Sequence, residues 1–309
     1  MSDRPHTGVV STAGEGLGTV PTYYSSKTDE IIRKYGGSRR GAPHFHLGLF
    51  NETHPTSAAG QEVIRRRICE SQEAMLDHAA HRWGVTERPP RDLLDIGCGL
   101  GGGSLYWAQE HGARVTALTN TAAHVPHLWD FIRAGGVSDL VSPMLLDIHD
   151  LREERRYDAA VAIESSGYMD RQRLFPVVAR ALRPGGWFGI EEHFLTSDRW
   201  AGYLDGYYKT RLGTLDEYLT AAGEAGFVLE DNDDLTERVT EFWVQSMAWS
   251  VMELEQSVPQ RPGAEPAGPT IIPARLAESA RRHSVFFRLW RDREVETRLL
   301  LFRLPSHRP

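Results

Sequence analysis

The sequence predicts an α/β fold: a doubly wound, mostly parallel sheet with a helical N-terminal cap and a helical lid insertion. Two observations carry that expectation. From residue 91 onward, short apolar runs alternate with amphipathic helical stretches, the pattern that βαβ units leave in a sequence. The first of these runs opens into the glycine-rich turn DIGCGLGGGS, Asp95 to Ser104, where a strand gives way to a helix.

Taken in chain order, residues 1–22 are rich in Gly, Ser and Thr, have little to bury, and read as a flexible lead. Residues 23–85 read as the helical cap. DEIIRKYG and then SAAGQEVIRRRICESQEAMLDHAAHRWGV carry apolar residues at three and four spacing, and GAPHFHLGLFNETHP between them is broken by Gly, Pro and Asn. Residues 86–309 form the α/β domain. Its expected strands are 92–97, 114–119, 141–146, 157–164 and 187–195. Residues 196–285 are expected to form an insertion over the ligand face, with a Pro/Gly-rich break at PQRPGAEPAGP. The final apolar segment, VETRLLLFRLP, is expected to close the sheet as an edge strand.

Composition narrows the function. At 309 residues, 40% hydrophobic and 25% charged, the chain resembles an ordinary globular protein, and one domain with insertions is the simplest organisation. No run approaches the ~18 apolar residues that would span a bilayer, and the first thirty residues lack a secretory pattern, so a cytoplasmic enzyme is expected. Cys69 and Cys98 are the only cysteines, and Cys98 lies in the glycine-rich turn, where a disulfide would obstruct a ligand. A formal charge of −7 argues against nucleic acid as a partner and leaves a small molecule. The oligomeric state stays open; the N-terminal helix could exchange between subunits of a homo-oligomer.

In an open α/β sheet the ligand crevice lies beyond the carboxyl ends of the strands. The spacing D-x-G-x-G-x-G at Asp95 to Gly101 resembles motif I of class I S-adenosylmethionine methyltransferases, which have a Rossmann-like sheet. The resemblance runs over roughly residues 90–195 and includes the Pro-Gly-Gly turn in RPGGWFGIEE at 183–192. It implies that Asp95, Gly97, Cys98, Gly99 and Gly101 hold the methionine part of the cofactor. The second strand ends in ALTNT with no acidic residue, which speaks against a nicotinamide enzyme. It is similar to the corresponding segment of the cyclopropane synthase, sterol and prenyl diphosphate C-methyltransferase group. On that similarity Thr119, Asn120 and Thr121 line the ribose, and His124 stands where the group has Gln. After the third strand, LLDIHDL supplies Asp147 for the adenine amino group and Ile148 for the ring face.

After the fourth strand the sequence reads AIESSGYMD, similar to the segment of geranyl diphosphate 2-C-methyltransferases. It implies that Glu164, with Tyr168, faces the acceptor. When an alkene carbon takes a methyl group, the neighbouring carbon becomes a cation that must be shielded from water and then lose a proton. A carboxylate can do both, and aromatic faces can help hold the charge. Ten aromatics in the cap and lid segments are candidates, among them Tyr24, Trp200 and Tyr208, with three or four expected to reach substrate. His46 lies in HLGLF, which resembles the H-x-G-x-[FWY] segment that closes the site in this group. His193 ends the fifth strand at the crevice.

The resulting expectation is methyl transfer from S-adenosylmethionine to an alkene carbon of an isoprenoid, either a prenyl diphosphate or a prenylated natural product. The alternative is O- or N-methylation of a small metabolite with a base such as His193. A third possibility is a cyclase or scaffold that keeps the pocket and transfers nothing. Mg2+ enters only if the acceptor carries a diphosphate, which Arg39 and Arg40 or Arg65, Arg66 and Arg67 could then meet. No protein-bound metal is expected, because the His44 and His46 pair lacks a placed third ligand.

Overall fold

The structure, a computed structural model, describes residues 20–36, 41–257 and 273–306. The core strands form because their residues are apolar on both faces. In β1 (Asp92–Ile96), Leu93 and Leu94 are both fully buried although they point to opposite sides of the sheet. Leu93 belongs to a cluster shared with the cap helices α1 (Val20–Tyr35) and α2 (Gln61–Arg82) and with α3 (Gly102–His111) and α4 (His124–Ala134). Leu94 belongs to a second cluster on the other face, with α5 (Arg171–Ala181) and α7 (Leu215–Glu224). Both helices of that second face start on side-chain caps: Asp170 accepts from Gln172 N, and Thr214 forms a reciprocal capping box with Glu217.

The sheet also contains β2 (Arg114–Thr119), β3 (Val141–Leu145), β4 (Tyr157–Ile163), β5 (Leu182–Leu195), β6 (Val228–Asp234) and β7 (Val295–Arg303). Their order is β3-β2-β1-β4-β5-β7-β6, parallel from β3 through β5 and antiparallel beyond. This is the mostly parallel, Rossmann-like sheet expected. The order reverses between β1 and β4, so the loops after these two strands diverge and leave a crevice between them.

Two expectations require correction. The C-terminal segment is a strand, but β7 lies inside the sheet between β5 and β6, and the edge belongs to β6. The stretch 196–285 is not wholly a lid: α7 packs on the face opposite the cap, and β6 extends the sheet. The lid proper consists of α6 (Ala201–Tyr208), α8 (Thr236–Ser257) and α9 (Pro273–Arg291), packed with the cap. The Pro/Gly-rich break, residues 1–19 of the lead, and Arg39 and Arg40 lie outside the described residues. Among the described residues, no helix is long and apolar enough to cross a membrane.

Close packing joins cap to sheet. The C-cap residue of α2, Trp83, stacks on Trp107 at 6.1 Å and tilts against Trp187 at 5.8 Å between ring centroids. Its indole lies directly over Gly189 of β5, where a Cβ would come within 2.7 Å of the ring. Only a residue without a side chain lets the indole settle that low on the strand.

Candidate active site

The turn after β1 is built for close approach of a ligand. Gly97, Gly99 and Gly101 all have positive φ, at 76, 55 and 93°, where an L side chain is strained. At Gly99 nothing lies within 4 Å of a built Cβ, so the loop offers an open cradle, whereas at Gly97 a Cβ would meet Ser165 at 2.5 Å. Asp95, at the end of β1, is buried and accepts a hydrogen bond from Ser104 Oγ at 2.5 Å. Burial pushes its carboxyl up to about 6, opposed by that hydroxyl.

A cavity with about 1090 Å³ of empty space, partly open to solvent, extends from this loop. Asp95, Gly97, Cys98 and Gly99 line it, as do Thr119, Asn120, Thr121 and His124 after β2, and Asp147 and Ile148 after β3. Gly101 does not line it. That residue caps α3, pressed so close to Leu128 that a Cβ would lie 2.2 Å from its methyl, and the adjacent Gly102 and Gly103 face the cavity instead. Asp147 caps the short turn at Ile148–Asp150, accepting from His149 N at 2.9 Å while its Oδ1 lies 2.7 Å from His149 Nδ1. His149 holds the Asp147 carboxyl below its ordinary range. His124 is buried with both ring nitrogens lacking a hydrogen-bond partner, and burial lowers its pKa to about 4, so it stands neutral in the wall.

A second cavity, with about 640 Å³ of empty space, adjoins the first. Tyr24, Phe45, His46, Glu164 and Tyr168 line both, so Glu164 stands where the two meet. Its backbone is left-handed, at φ 44°, an uncommon conformation for a residue with a side chain. Hydrogen bonds hold it there. Glu164 N donates to Glu191 O at 2.8 Å, and Leu47 N, in the loop between α1 and α2, donates to Glu164 Oε1. Oε2 lies 3.4 Å from His193 Nε2, off the line of a hydrogen bond. Burial lowers the His193 pKa, but the Glu164 carboxylate outweighs it and the net shift is upward. The Tyr24 hydroxyl, from α1, donates to the Tyr168 hydroxyl at 2.7 Å and ties the cap across the junction.

The second cavity is strongly aromatic. Seven of the ten aromatic candidates of the cap and lid segments line it: Tyr24, Phe45, Tyr168, Tyr207, Tyr208, Phe242 and Trp243. Trp200 lines neither cavity: it packs against Tyr203, with the Arg199 guanidinium 5.4 Å from its ring centroid. Spacing alone could not distinguish it from Tyr207 and Tyr208, both about two turns further on. Sequence reasoning missed Tyr35, Glu192 and His283 in this lining. Glu192 is buried and accepts from Ser166 Oγ, Gly167 N and His193 N, which shapes the turn after β4.

Glu191 is fully buried with neither carboxylate oxygen partnered. Burial, with the nearby Glu164 and Glu192, pushes its pKa well above the ordinary carboxylate range. Glu164, Glu191 and His193 present ligand-type atoms within 4.8 Å of one another, a cluster that sequence, where the close pair is His44 and His46, does not reveal. None of Arg65, Arg66 and Arg67 lines either cavity; they reach the Gly36 and Pro55 carbonyls and Glu62 and Glu70 on the outer side of α2.

Sheet order, glycine turn and crevice together define a class I S-adenosylmethionine-dependent methyltransferase. The family described as mycolic acid cyclopropane synthetase matches residues 44–207, more than half of the chain, and the chain belongs to it. It is similar to the sterol 24-C-methyltransferase erg6 of Aspergillus fumigatus, 29% identical over 229 residues, covering 70% of this chain and 55% of that protein. It thus spans little more than half the length of that relative. It is also similar to the geranyl diphosphate 2-C-methyltransferase of Streptomyces lasalocidi, 24% identical over 267 residues, or 78% and 87% of the two chains. A solved geranyl diphosphate methyltransferase in complex with GPP and sinefungin shares the fold, with a TM-score of 0.75, 20% identity and coverage of 93% and 98%.

Proposed function

We propose that the chain transfers a methyl group from S-adenosylmethionine to an alkene carbon of an isoprenoid-type acceptor. The observation that carries this reading is the position of Glu164, a carboxylate at the junction of the cavity lined by the glycine turn and an aromatic one. The first cavity suits the cofactor chemically. Asp95 would pair with its ammonium group, the Gly97–Gly99 backbone would follow its methionine chain, Thr119, Asn120 and the neutral His124 would meet the ribose, and Asp147 and Ile148 the adenine. When bound there, the cofactor supplies an electrophilic methyl on a sulfonium sulfur.

The chain's own residues do the rest. Tyr24, His46, Tyr168 and Tyr208 hold the acceptor and exclude water. After the new carbon–carbon bond forms, the acceptor carries a positive charge on the neighbouring carbon. The Glu164 carboxylate stabilises that charge and removes a proton from the adjacent carbon, restoring an alkene. The surrounding rings favour a cation by about 0.5 to 2 kcal/mol each when desolvated. Mg2+ belongs to this scheme only for a diphosphate acceptor.

A second reading is favoured by the 3.4 Å approach of His193 to Glu164. In it a hydroxyl or amine of a small metabolite is the acceptor and His193 takes its proton. Turnover of methyl-labelled cofactor over a panel of prenyl diphosphates, prenyl alcohols, sterols and phenols tests both readings. Label in an alkene product supports the first, and label on oxygen or nitrogen alone overturns it.

A further inference from the structure

Glu164 Oε2 and His193 Nε2 lie 3.4 Å apart, and what the ring presents at Nε2 is governed from the far side of the imidazole. In the antiparallel register of β5 and β7, His193 stands opposite Thr297. His193 Nδ1 lies 3.0 Å from Thr297 Oγ1, and Trp290 Nε1, near the end of α9, lies 2.7 Å from the same oxygen. All three side chains are buried, Thr297 completely, and the indole packs edge-on against the imidazole at 5.1 Å.

The hydrogens can be counted. An indole N–H only donates, so Thr297 Oγ1 receives the Trp290 hydrogen. The hydroxyl's own hydrogen then needs an acceptor, and among the described residues the one within hydrogen-bond distance is His193 Nδ1. With a hydrogen on Nδ1 instead, Thr297 would receive two donors, and its own hydroxyl hydrogen would be stranded in a dry interior.

We infer that Trp290 and Thr297 fix the neutral form of His193 as the Nε2–H tautomer, which turns an N–H towards Glu164 rather than a basic lone pair towards the acceptor. The inference rests on the reading of Glu164 as the acceptor-facing carboxylate and deepens it. Thr297 and Trp290 become positioning residues that touch neither substrate nor cofactor. They keep an N–H, rather than a lone pair, on the edge of the ring 3.4 Å from Glu164 Oε2, and the positive end of that bond favours the ionised carboxylate that the reaction requires. A histidine locked with hydrogen on Nε2 has no lone pair on the cavity side, which counts against the His193-base alternative.

Long-range 1H–15N NMR of the imidazoles in the full-length labelled protein tests this without cofactor or acceptor. The His193 signals are assigned by their loss in His193→Gln. The expected result is a bare Nδ1 and a protonated Nε2; a hydrogen on Nδ1 overturns the inference. Thr297→Val removes the hydroxyl at nearly constant volume and is expected to admit the other tautomer and lower kcat roughly tenfold with little change in KM, while Thr297→Ser restores both. If Thr297→Val loses activity with the tautomer unchanged, Thr297 is merely structural and the inference fails. If Thr297→Val does not fold, the wild-type spectrum alone decides. Because the spectrum reads no turnover, a wrong tautomer and a wrong assignment of Glu164 remain separate outcomes.

Discussion

Replacing Glu164 with Gln is the most informative single perturbation of the proposed chemistry. The amide has nearly the same shape and keeps an oxygen for the Leu47 N–H that now binds Oε1, so the left-handed backbone at φ 44° retains its anchor. What it loses is the negative charge facing both cavities and the group that can take a proton. Its amide nitrogen would also face His193 Nε2 across 3.4 Å, donor against donor on the inferred tautomer. Loss of a general base costs about 10²- to 10⁴-fold, or about 3 to 5 kcal/mol of barrier. Loss of the stabilising charge adds to this, so kcat is expected to fall by at least about a hundredfold. The assay is transfer of labelled methyl to an acceptor identified from the panel, with affinity for S-adenosylhomocysteine measured on the same protein. On the proposed reading Glu164 serves the acceptor, so cofactor affinity should stay within a few-fold. Turnover within a few-fold of wild type would refute the role of Glu164 in the cation and proton steps.

Three further outcomes follow from the geometry. Asp95 sits near 6 because burial disfavours its charge. A ligand ammonium needs the ionised carboxylate, so cofactor affinity should be full above about pH 6 and fall towards tenfold per unit below it. Calorimetry at several pH values checks this, and Asp95→Asn should bind weakly with little of that dependence. Gly97→Ala would place a Cβ 2.5 Å from Ser165 at a φ of 76°, and it should lose cofactor affinity by about tenfold or more as the loop shifts; unchanged affinity would show that the loop is not the ligand cradle. Gly189→Ala drives a methyl into the Trp83 indole and should destabilise the fold by about 1–3 kcal/mol, read as a drop of several degrees in thermal unfolding; an unchanged midpoint would contradict the packing argument.

The lining of the first cavity was largely legible in the sequence because each strand delivers its residues within a few positions of its own carboxyl end. Asp95, Thr119, Asn120 and Glu164 come at the ends of apolar runs that are easy to recognise, since β1, β2 and β4 are buried on both faces, and Asp147 follows the edge strand β3, marked by its apolar Met144, Leu145 and Leu146. The second cavity was legible only in part, because it is assembled from distant segments. Tyr35 comes from α1, Glu192 from β5 and His283 from α9, and no local spacing marks them as neighbours. Trp200 shows the converse: it lies in the expected segment yet lines neither cavity. β6 escaped notice for a physical reason. VLEDNDD has no apolar run, being a largely exposed edge strand whose Asp231 and Asp233 pair with Arg82 and His78 of α2. The place of β7 between β5 and β6 depends on pairing, which apolarity alone cannot order. The donors around His193 were hidden too, because Thr297 meets it only through the β5–β7 register.

Titration calorimetry of the purified protein with S-adenosylhomocysteine bears most directly on whether the cavity at Asp95 receives a sulfonium nucleoside. One site per chain is predicted, with affinity lost on Asp95→Asn and preserved on Glu164→Gln. An absence of binding heat at several temperatures, with no ligand-induced rise in unfolding temperature, would contradict the account at its root.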